Sequence, residues 1–296
     1  MQPFWPRRSP HFLACRRAVR PFDGPAVIGL SGGPDSLALA AAAAAEGKDA
    51  TCVVVDHGLQ DGSADVAERA AGAARGFGLA AEVVRVEVGE GNVEAAARSA
   101  RYEALLAYGR DVWVAHTADD QAETLILGAL RGNPSGMAPR AGRVVRPFLG
   151  VRRADTVGAC EELGLTPWHD PMNADPAFRR VAVRTQVVPL LSKLLGGDAV
   201  PALAATAGRI AADHALIASL ADLSPTTSCE ELARDAGPVR RRRLAAWLVG
   251  EGVPVQGDQL DAVEALVADW HGQGPVAVAG GLAVVREGGR LGILRF

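Results

Sequence analysis

From residue 25 onward, short runs of apolar and β-branched residues alternate with longer stretches whose apolar positions recur every three to four residues. Ala26 to Leu30, Thr51 to Val55, Glu82 to Val88 and Val112 to Ala115 read as buried strands, bounded at their carboxyl ends by Gly, Asp or His. Between them, Ser36 to Glu46 with its run of six alanines, Ser63 to Gly76 and Val93 to Gly109 read as helices. This alternation predicts a doubly wound α/β domain on a mostly parallel sheet, and such sheets bind ligands outside the carboxyl ends of their strands. The chemistry is therefore to be sought directly after each strand.

Beyond about residue 150 the strand pattern stops. Arg152 to Leu163, Arg180 to Leu195 and Ala199 to Leu223 read as helices, with Pro189 marking a kink or boundary in the second. Ser224 to Ser228 reads as a linker or helix cap. Two more helices, Val239 to Gly250 and Gln256 to Trp270, precede alternating runs at Pro275 to Ala279, Gly281 to Arg286 and Arg290 to Phe296. The expected organisation is a catalytic domain over 1–198, a linking helix over 199–223 and a small α+β domain over 224–296.

Composition narrows the class. With 49% apolar and 22% charged residues, the 296-residue chain is of ordinary globular make-up, which excludes global disorder and fibrous designs. Its longest strongly apolar run, Leu37 to Ala45, falls far short of the ~20 residues of a membrane span. Arg7 and Arg8 are followed by Pro10, Arg16, Arg17, Arg20 and Pro21, which leave no apolar stretch for an export signal. Cys15, Cys52, Cys160 and Cys229 form no Cys-x-x-Cys pair and no zinc-like spacing, so a reducing cytosol fits best. The net charge of −3 hides acid-free basic stretches: five arginines in residues 1–22, six in 124–154, then Arg179, Arg180, Arg184 and Lys193, and the run Arg240, Arg241, Arg242 and Arg243. Each reads either as solvated surface or, taken together, as a track for a phosphate backbone.

The first strand runs into Ser31-Gly32-Gly33-Pro34-Asp35-Ser36 and then a helix. Glycines here let successive N–H groups turn toward an anion, and the helix start adds a favourable dipole, so the loop suits a phosphate or pyrophosphate. Neither Gly-x-x-x-x-Gly-Lys nor Gly-x-Gly-x-x-Gly is present. The string resembles the loop of N-type ATP pyrophosphatases. Three further strings narrow the likeness: Val55-Asp56-His57-Gly58-Leu59; His116-Thr117-Ala118-Asp119-Asp120-Gln121-Ala122-Glu123-Thr124; and Asp170-Pro171-Met172-Asn173-Ala174-Asp175, followed by Phe178, Arg179, Arg180 and Arg184. With Asn92, Glu94, Ala97, Arg98, Arg101 and Tyr102, they resemble the tRNA(Ile)-lysidine synthetase family over roughly residues 25–190.

That resemblance implies ligation of free L-lysine to C2 of the wobble cytidine in the CAU anticodon of tRNA(Ile), through a cytidine adenylated on O2 by ATP. It assigns the ATP site to Ser31, Gly32, Gly33, Pro34, Asp35, Ser36, Asp56 and His57, with Asp35 holding Mg²⁺. The lysine site falls to Arg98, His116, Asp120 and Glu123. Catalysis falls to Asp35, His116, Asp120 and Arg180, and tRNA contacts to Arg131, Arg146, Arg179, Arg180, Arg184 and the Arg240–Arg243 run. No membrane partner is implied, and a homodimer is compatible with the reading. Two departures stand out: Val181 occupies a position where the family leads one to expect Asn, and the glycine-rich stretch Arg131 to Met137 is short. The closest rival is tRNA thiolation, which activates the same kind of base oxygen but normally needs paired cysteines. Amidotransfer to a small molecule and a non-enzymatic RNA-binding module are further alternatives.

Overall fold

The expected parallel sheet forms around β1 (Ala26–Gly29), with β2 (Ala50–Asp56), β3 (Ala80–Arg85) and β4 (Asp111–Trp113). Two short strands, β5 (Arg140–Ala141) and β6 (Val144–Val145), complete the order β3-β2-β1-β4-β6-β5, in which only the β5–β6 pair is antiparallel. The order turns back between β1 and β4, which opens the ligand crevice of a doubly wound sheet at their carboxyl ends. Strands β5 and β6 are too short for any alternation to announce them. The computed structural model describes residues 5, 6, 8–58, 62–86, 93–170, 175–254 and 257–295. Leu59, Glu87, Val88, Asn92, the Glu94 side chain and Pro171 to Ala174 lie outside that set.

The chain separates into two units, residues 1–124 with 137–208 and residues 125–136 with 209–296. In the first, helix α2 (Pro34–Ala45) buries every residue from Ser36 to Ala43. Its alanines leave room for close neighbours on all sides, which is why the helix lacks an amphipathic pattern. One neighbour, α1 (Pro10–Val19), falls in the arginine-rich start of the chain and was not expected as a helix. It buries Phe12, Cys15 and Val19 against α2 and α6 (Arg153–Glu162), while Arg16 and Arg20 turn outward to Glu46. The Glu162 carboxylate accepts from the His11 and Phe12 N–H groups at 3.2 and 2.8 Å, satisfying two free donors of the helix start. Helices α3 (Ser63–Gly76) and α4 (Val93–Leu106) complete the layers beside the sheet.

Helix α5 (Ala118–Ala129) follows β4. Later, α7 (Arg179–Ala182) passes through a π-turn, Val183–Val187, into α8 (Val188–Leu195). The boundary expected at Pro189 is thus a widened turn rather than a break: Pro189 has no N–H to donate one turn back, and the extra residue absorbs the misfit. Helix α9 (Val200–Leu220) comes next, and no single helix among the described residues is long and apolar enough to cross a membrane.

The second unit packs α10 (Cys229–Arg234), α11 (Gly237–Gly250) and α12 (Gly257–Ala268) on the antiparallel sheet β7 (Val276–Val278), β8 (Leu282–Glu287) and β9 (Arg290–Arg295). Leu232, Leu244, Leu248, Val263 and Val284 fill its core. Residues 125–136 join it where Gly132 and Gly257 meet. A Cβ on Gly257 would lie 2.7 Å from the Gly132 carbonyl oxygen, so only glycine fits that crossing.

Candidate active site

The site begins with the loop between β1 and α2. Gly32 has φ +82°, and a Cβ there would press on Ala70 at 3.3 Å, so backbone angle and space both require glycine. Ser36 is the loop's internal tie: its Oγ accepts from the Ser31 N–H at 3.1 Å and donates to the Gly33 carbonyl at 3.0 Å. Trp168 closes the turn from outside by donating its N–H to the Gly32 carbonyl at 2.9 Å. Among the described residues no side chain caps α2. Its first-turn N–H groups are left to face an anion.

A cavity of about 920 Å³ opens over the strand ends and is lined by Ser31, Asp35, Ser36, Asp56, His57, Arg101, His116, Asp120, Trp168 and Asp170 among others. Asp56 ends β2, and its carboxylate accepts from the Gly58 N–H at 2.9 Å, which with the Ser63 hydroxyl holds its pKa below the usual carboxylate value. Pro34 starts α2, and Asp35 follows it in the first turn. Burial pushes the Asp35 carboxyl up and the nearby Asp120 charge adds to that, against the opposing pull of Thr156 and Arg153.

His116 and His57 each leave Nδ1 buried without a hydrogen-bond partner among the described residues. Burial lowers the His116 pKa to about 4; Asp120 opposes the shift, while Arg146, Arg98 and Arg101 reinforce it. The imidazole is therefore neutral at physiological pH. An unfolded chain, with imidazole near ~6.5, binds the proton first, so the stability contributed by neutral His116 is complete above that pH and is lost as pH falls toward 4. The urea midpoint of His116→Gln is thus expected to drop less than that of the wild type between pH 7 and pH 5. Equal drops would show that His116 is not held neutral.

The acids at the start of α5 have three different partners. Asp119 accepts from Arg152 and from the Arg153 N–H, pinning the start of α6. Asp120 accepts at one oxygen from the Thr117 N–H and hydroxyl, at 2.7 and 2.8 Å, and at the other from Arg153 Nη2 at 2.6 Å. Glu123, 1% exposed, accepts from Arg153 Nη1 at 3.0 Å and from Arg184 Nε and Nη2 at 2.7 and 3.3 Å, with Arg180 Nη1 at 3.9 Å. Asp120 and Glu123, the pair expected to hold the lysine ammonium, have different surroundings in the structure. They do share a helix face, but only Asp120 lines the cavity; Glu123 is turned into the protein and neutralises arginines.

The predicted arginines divide in the same way. Arg98 stacks on the Tyr102 ring at 5.2 Å, beside Arg101 at 5.4 Å, and does not line the cavity. Arg131 and Arg179 are exposed, and Arg180 is half-exposed. Arg146 donates to the Ala138 carbonyl at 2.9 Å while burial lowers its pKa. Arg184 is committed to Glu123, and Val181, in place of the expected Asn, is buried. In the Arg240–Arg243 run, expected to contact tRNA, Arg240 pairs with Glu264, Arg241 with Asp261, and buried Arg243 with Asp235 and Glu231, while Arg242 bonds His214 and the Pro238 carbonyl. Four consecutive residues span all sides of a helix, so several had to face inward. Sequence reasoning missed Arg153 and Thr156, because nothing local reveals a partner some 30 or 120 positions away.

Comparison with known proteins extends this picture. A PP-loop domain model matches residues 17–191 and a TilS substrate binding domain model matches residues 228–291. The tRNA(Ile)-lysidine synthase of Corynebacterium diphtheriae is 57% identical over 295 residues, covering 99% of this chain and all of its own length. That of Corynebacterium glutamicum is 51% identical over 306 residues, covering 97% and 96%. In fold, the chain is similar to the U34-tRNA thiolase NcsA of Methanococcus maripaludis, with TM-score 0.53 and 16% identity over 67% of this chain and 80% of that one. The two domain models, in order, and the near full-length identities lead to one conclusion: the chain belongs to the tRNA(Ile)-lysidine synthase family.

Proposed function

We propose that the protein uses ATP to ligate L-lysine to C2 of the wobble cytidine in the CAU anticodon of tRNA(Ile), releasing AMP and pyrophosphate. The observation that carries the reading is one cavity that joins the Ser31–Ser36 loop to His116 and Asp120. Ser31, Gly32, Gly33 and Ser36 hold the phosphates with Pro34 setting the helix start, and Asp56 and His57 border the nucleotide. Cytidine O2 attacks the α-phosphorus and pyrophosphate leaves. Asp120 then holds the lysine ε-ammonium beside His116, the two orienting the amine; after the ammonium has given up a proton to solvent, the free amine attacks C2 and AMP departs with the former cytidine O2. Arg98 lies at the amino-acid end, and Arg180 stabilises charge on the adenylated intermediate.

The residues fit a Mg²⁺ that arrives with the nucleotide. Among the described residues no group of three or more His, Cys, Asp or Glu side chains forms a ready cation cage, whereas Asp35 offers a carboxylate of the kind Mg²⁺ takes beside phosphate oxygens. When bound, the ion supplies charge neutralisation of the phosphates. Asp35 would hold it.

The second unit is read as positioning the tRNA body. An isoleucine tRNA and a methionine tRNA with the same CAU anticodon differ only elsewhere, and RNA helices are read through shape, 2′-hydroxyls and phosphates. Because the Arg240–Arg243 run is largely paired internally, the exposed Arg131 of this unit and Arg179 of the first unit are the better phosphate ligands. Arg179→Gln is expected to reduce the slope of log affinity against log salt by about 0.7 to 0.9, one phosphate contact. Filter binding across a salt series measures this; an unchanged slope assigns Arg179 to solvent. Such a reaction places the enzyme with the cytosolic tRNA pool.

Mass spectrometry of the wobble nucleoside after incubation with tRNA, lysine and ATP tests the whole reading. Lysidine and AMP, formed only when lysine and tRNA are both present and following pyrophosphate release at the adenylation step, are the expected products. A thiolated or unchanged cytidine overturns it. Thiolation is disfavoured because no cysteine pair exists in the sequence, and burial pushes Cys52 and Cys160 up to about 12, away from thiolate reactivity.

A further inference from the structure

Asp35, the acid of the phosphate loop, is held from behind by the first turn of α6. Thr156 donates its hydroxyl to Asp35 Oδ1, and Arg153 Nε stands 3.6 Å from Asp35 Oδ2. The remaining arms of the same guanidinium go to Asp120 Oδ1 at 2.6 Å and Glu123 Oε1 at 3.0 Å. Arg153 is mostly buried and does not line the cavity, whereas Asp35 and Asp120 do. It therefore sits behind the wall, one cation facing three carboxylates brought together from α2 and α5.

The arrangement has a clear electrostatic purpose. Asp35 and Asp120 face one cavity, and without a cation between them their charges would repel and turn the Asp35 carboxylate away from its phosphate-facing position. Arg153 has the geometry to prevent this, since its planar fork reaches both acids at once, which a lysine's single point charge would do only in part. Its backbone is in turn fixed by the Asp119 carboxylate at 2.8 Å.

We infer that Arg153 is a positioning residue for the adenylation step, acting through Asp35 together with Thr156 and fixing the spacing between the nucleotide loop and Asp120. The inference rests on the ATP-site reading above. It requires that Arg153 affect the rate of α-phosphate attack far more than nucleotide binding, because the loop's N–H groups and serines hold the phosphates independently of it.

The test is rapid-quench pyrophosphate release from ATP and tRNA transcript without lysine, in wild type, Arg153→Gln, Arg153→Lys, Thr156→Val, Asp35→Asn and the Arg153→Gln/Asp35→Asn double variant. Equilibrium binding of α,β-methylene-ATP and thermal melts accompany it. Expected are a roughly 100-fold slower burst in Arg153→Gln with analogue affinity within about threefold, partial recovery in Arg153→Lys, and roughly tenfold slowing in Thr156→Val. In the double variant the Arg153 change should add nothing to Asp35→Asn, the signature of a residue acting through its neighbour. A merely structural residue would lower burst amplitude and melting temperature instead, and its effect would multiply with that of Asp35→Asn; either that result or a wild-type burst rate in Arg153→Gln overturns the inference. If Arg153→Gln does not fold, Thr156→Val carries the test, and a wild-type rate there overturns it equally. Absence of pyrophosphate release by the wild type would instead strike the ATP-site reading itself.

Discussion

Asparagine at Asp35 is expected to cut pyrophosphate release by about 10²- to 10³-fold, the usual cost of losing one preorganised electrostatic group at a reacting centre. The substitution keeps the size of the side chain and leaves an amide oxygen for the Thr156 hydroxyl, so the loop itself should persist. What it removes is the negative charge that a nucleotide-borne cation requires. Affinity for tRNA should stay within about twofold, because no assigned tRNA contact involves this loop. Single-turnover pyrophosphate release beside filter binding separates the two quantities. Wild-type release from Asp35→Asn would remove Asp35 from the chemistry and return it to the role of a helix-start acid.

The largest effect on stability should come from Glu123→Ala. The carboxylate is buried and neutralises Arg153 and Arg184 directly, with Arg180 close by. Removing it leaves two guanidinium groups in a partly dry interior with one fewer counter-charge, which typically costs about 3–5 kcal/mol. Glu123→Gln, which retains an acceptor oxygen, should cost less, and Glu123→Ala combined with Arg184→Met should recover part of the loss. Urea unfolding at pH 7 reports all three as midpoint shifts at unchanged slope. A loss below about 1 kcal/mol in Glu123→Ala would mean that water reaches the arginines and that Glu123 is not their anchor.

These two expectations draw on information of different kinds. The place of Asp35 was legible from the chain: a Gly-Gly turn and a helix start directly after a strand define a loop by local geometry, and the structure adds the positive φ of Gly32 and the Ser36 tie. Likewise the parallel strands and the small antiparallel C-terminal sheet follow from hydrophobic period and turn residues. Helix α1 was hidden because its outward arginines obscure an apolar stripe of only three residues, Phe12, Cys15 and Val19.

The fate of the charges was decided by tertiary structure. The acid-free stretch 124–154 looks in sequence like an unneutralised basic patch, yet Arg140 pairs with Asp111, Arg152 with Asp119 and Asp198, and Arg153 with Asp35, Asp120 and Glu123. The Arg240–Arg243 run is spent similarly within its own unit. Whether an acid beside a strand end faces a substrate or a buried guanidinium depends on which distant helix packs against it. By itself the sequence determined the fold class, the phosphate loop and the kind of chemistry, because backbone turns and periodicity are properties of neighbouring residues. The division between Asp120, which reaches the cavity, and Glu123, three residues on and turned inward to Arg153 and Arg184, was settled only by packing, because an ion pair is a property of residues that folding brings together.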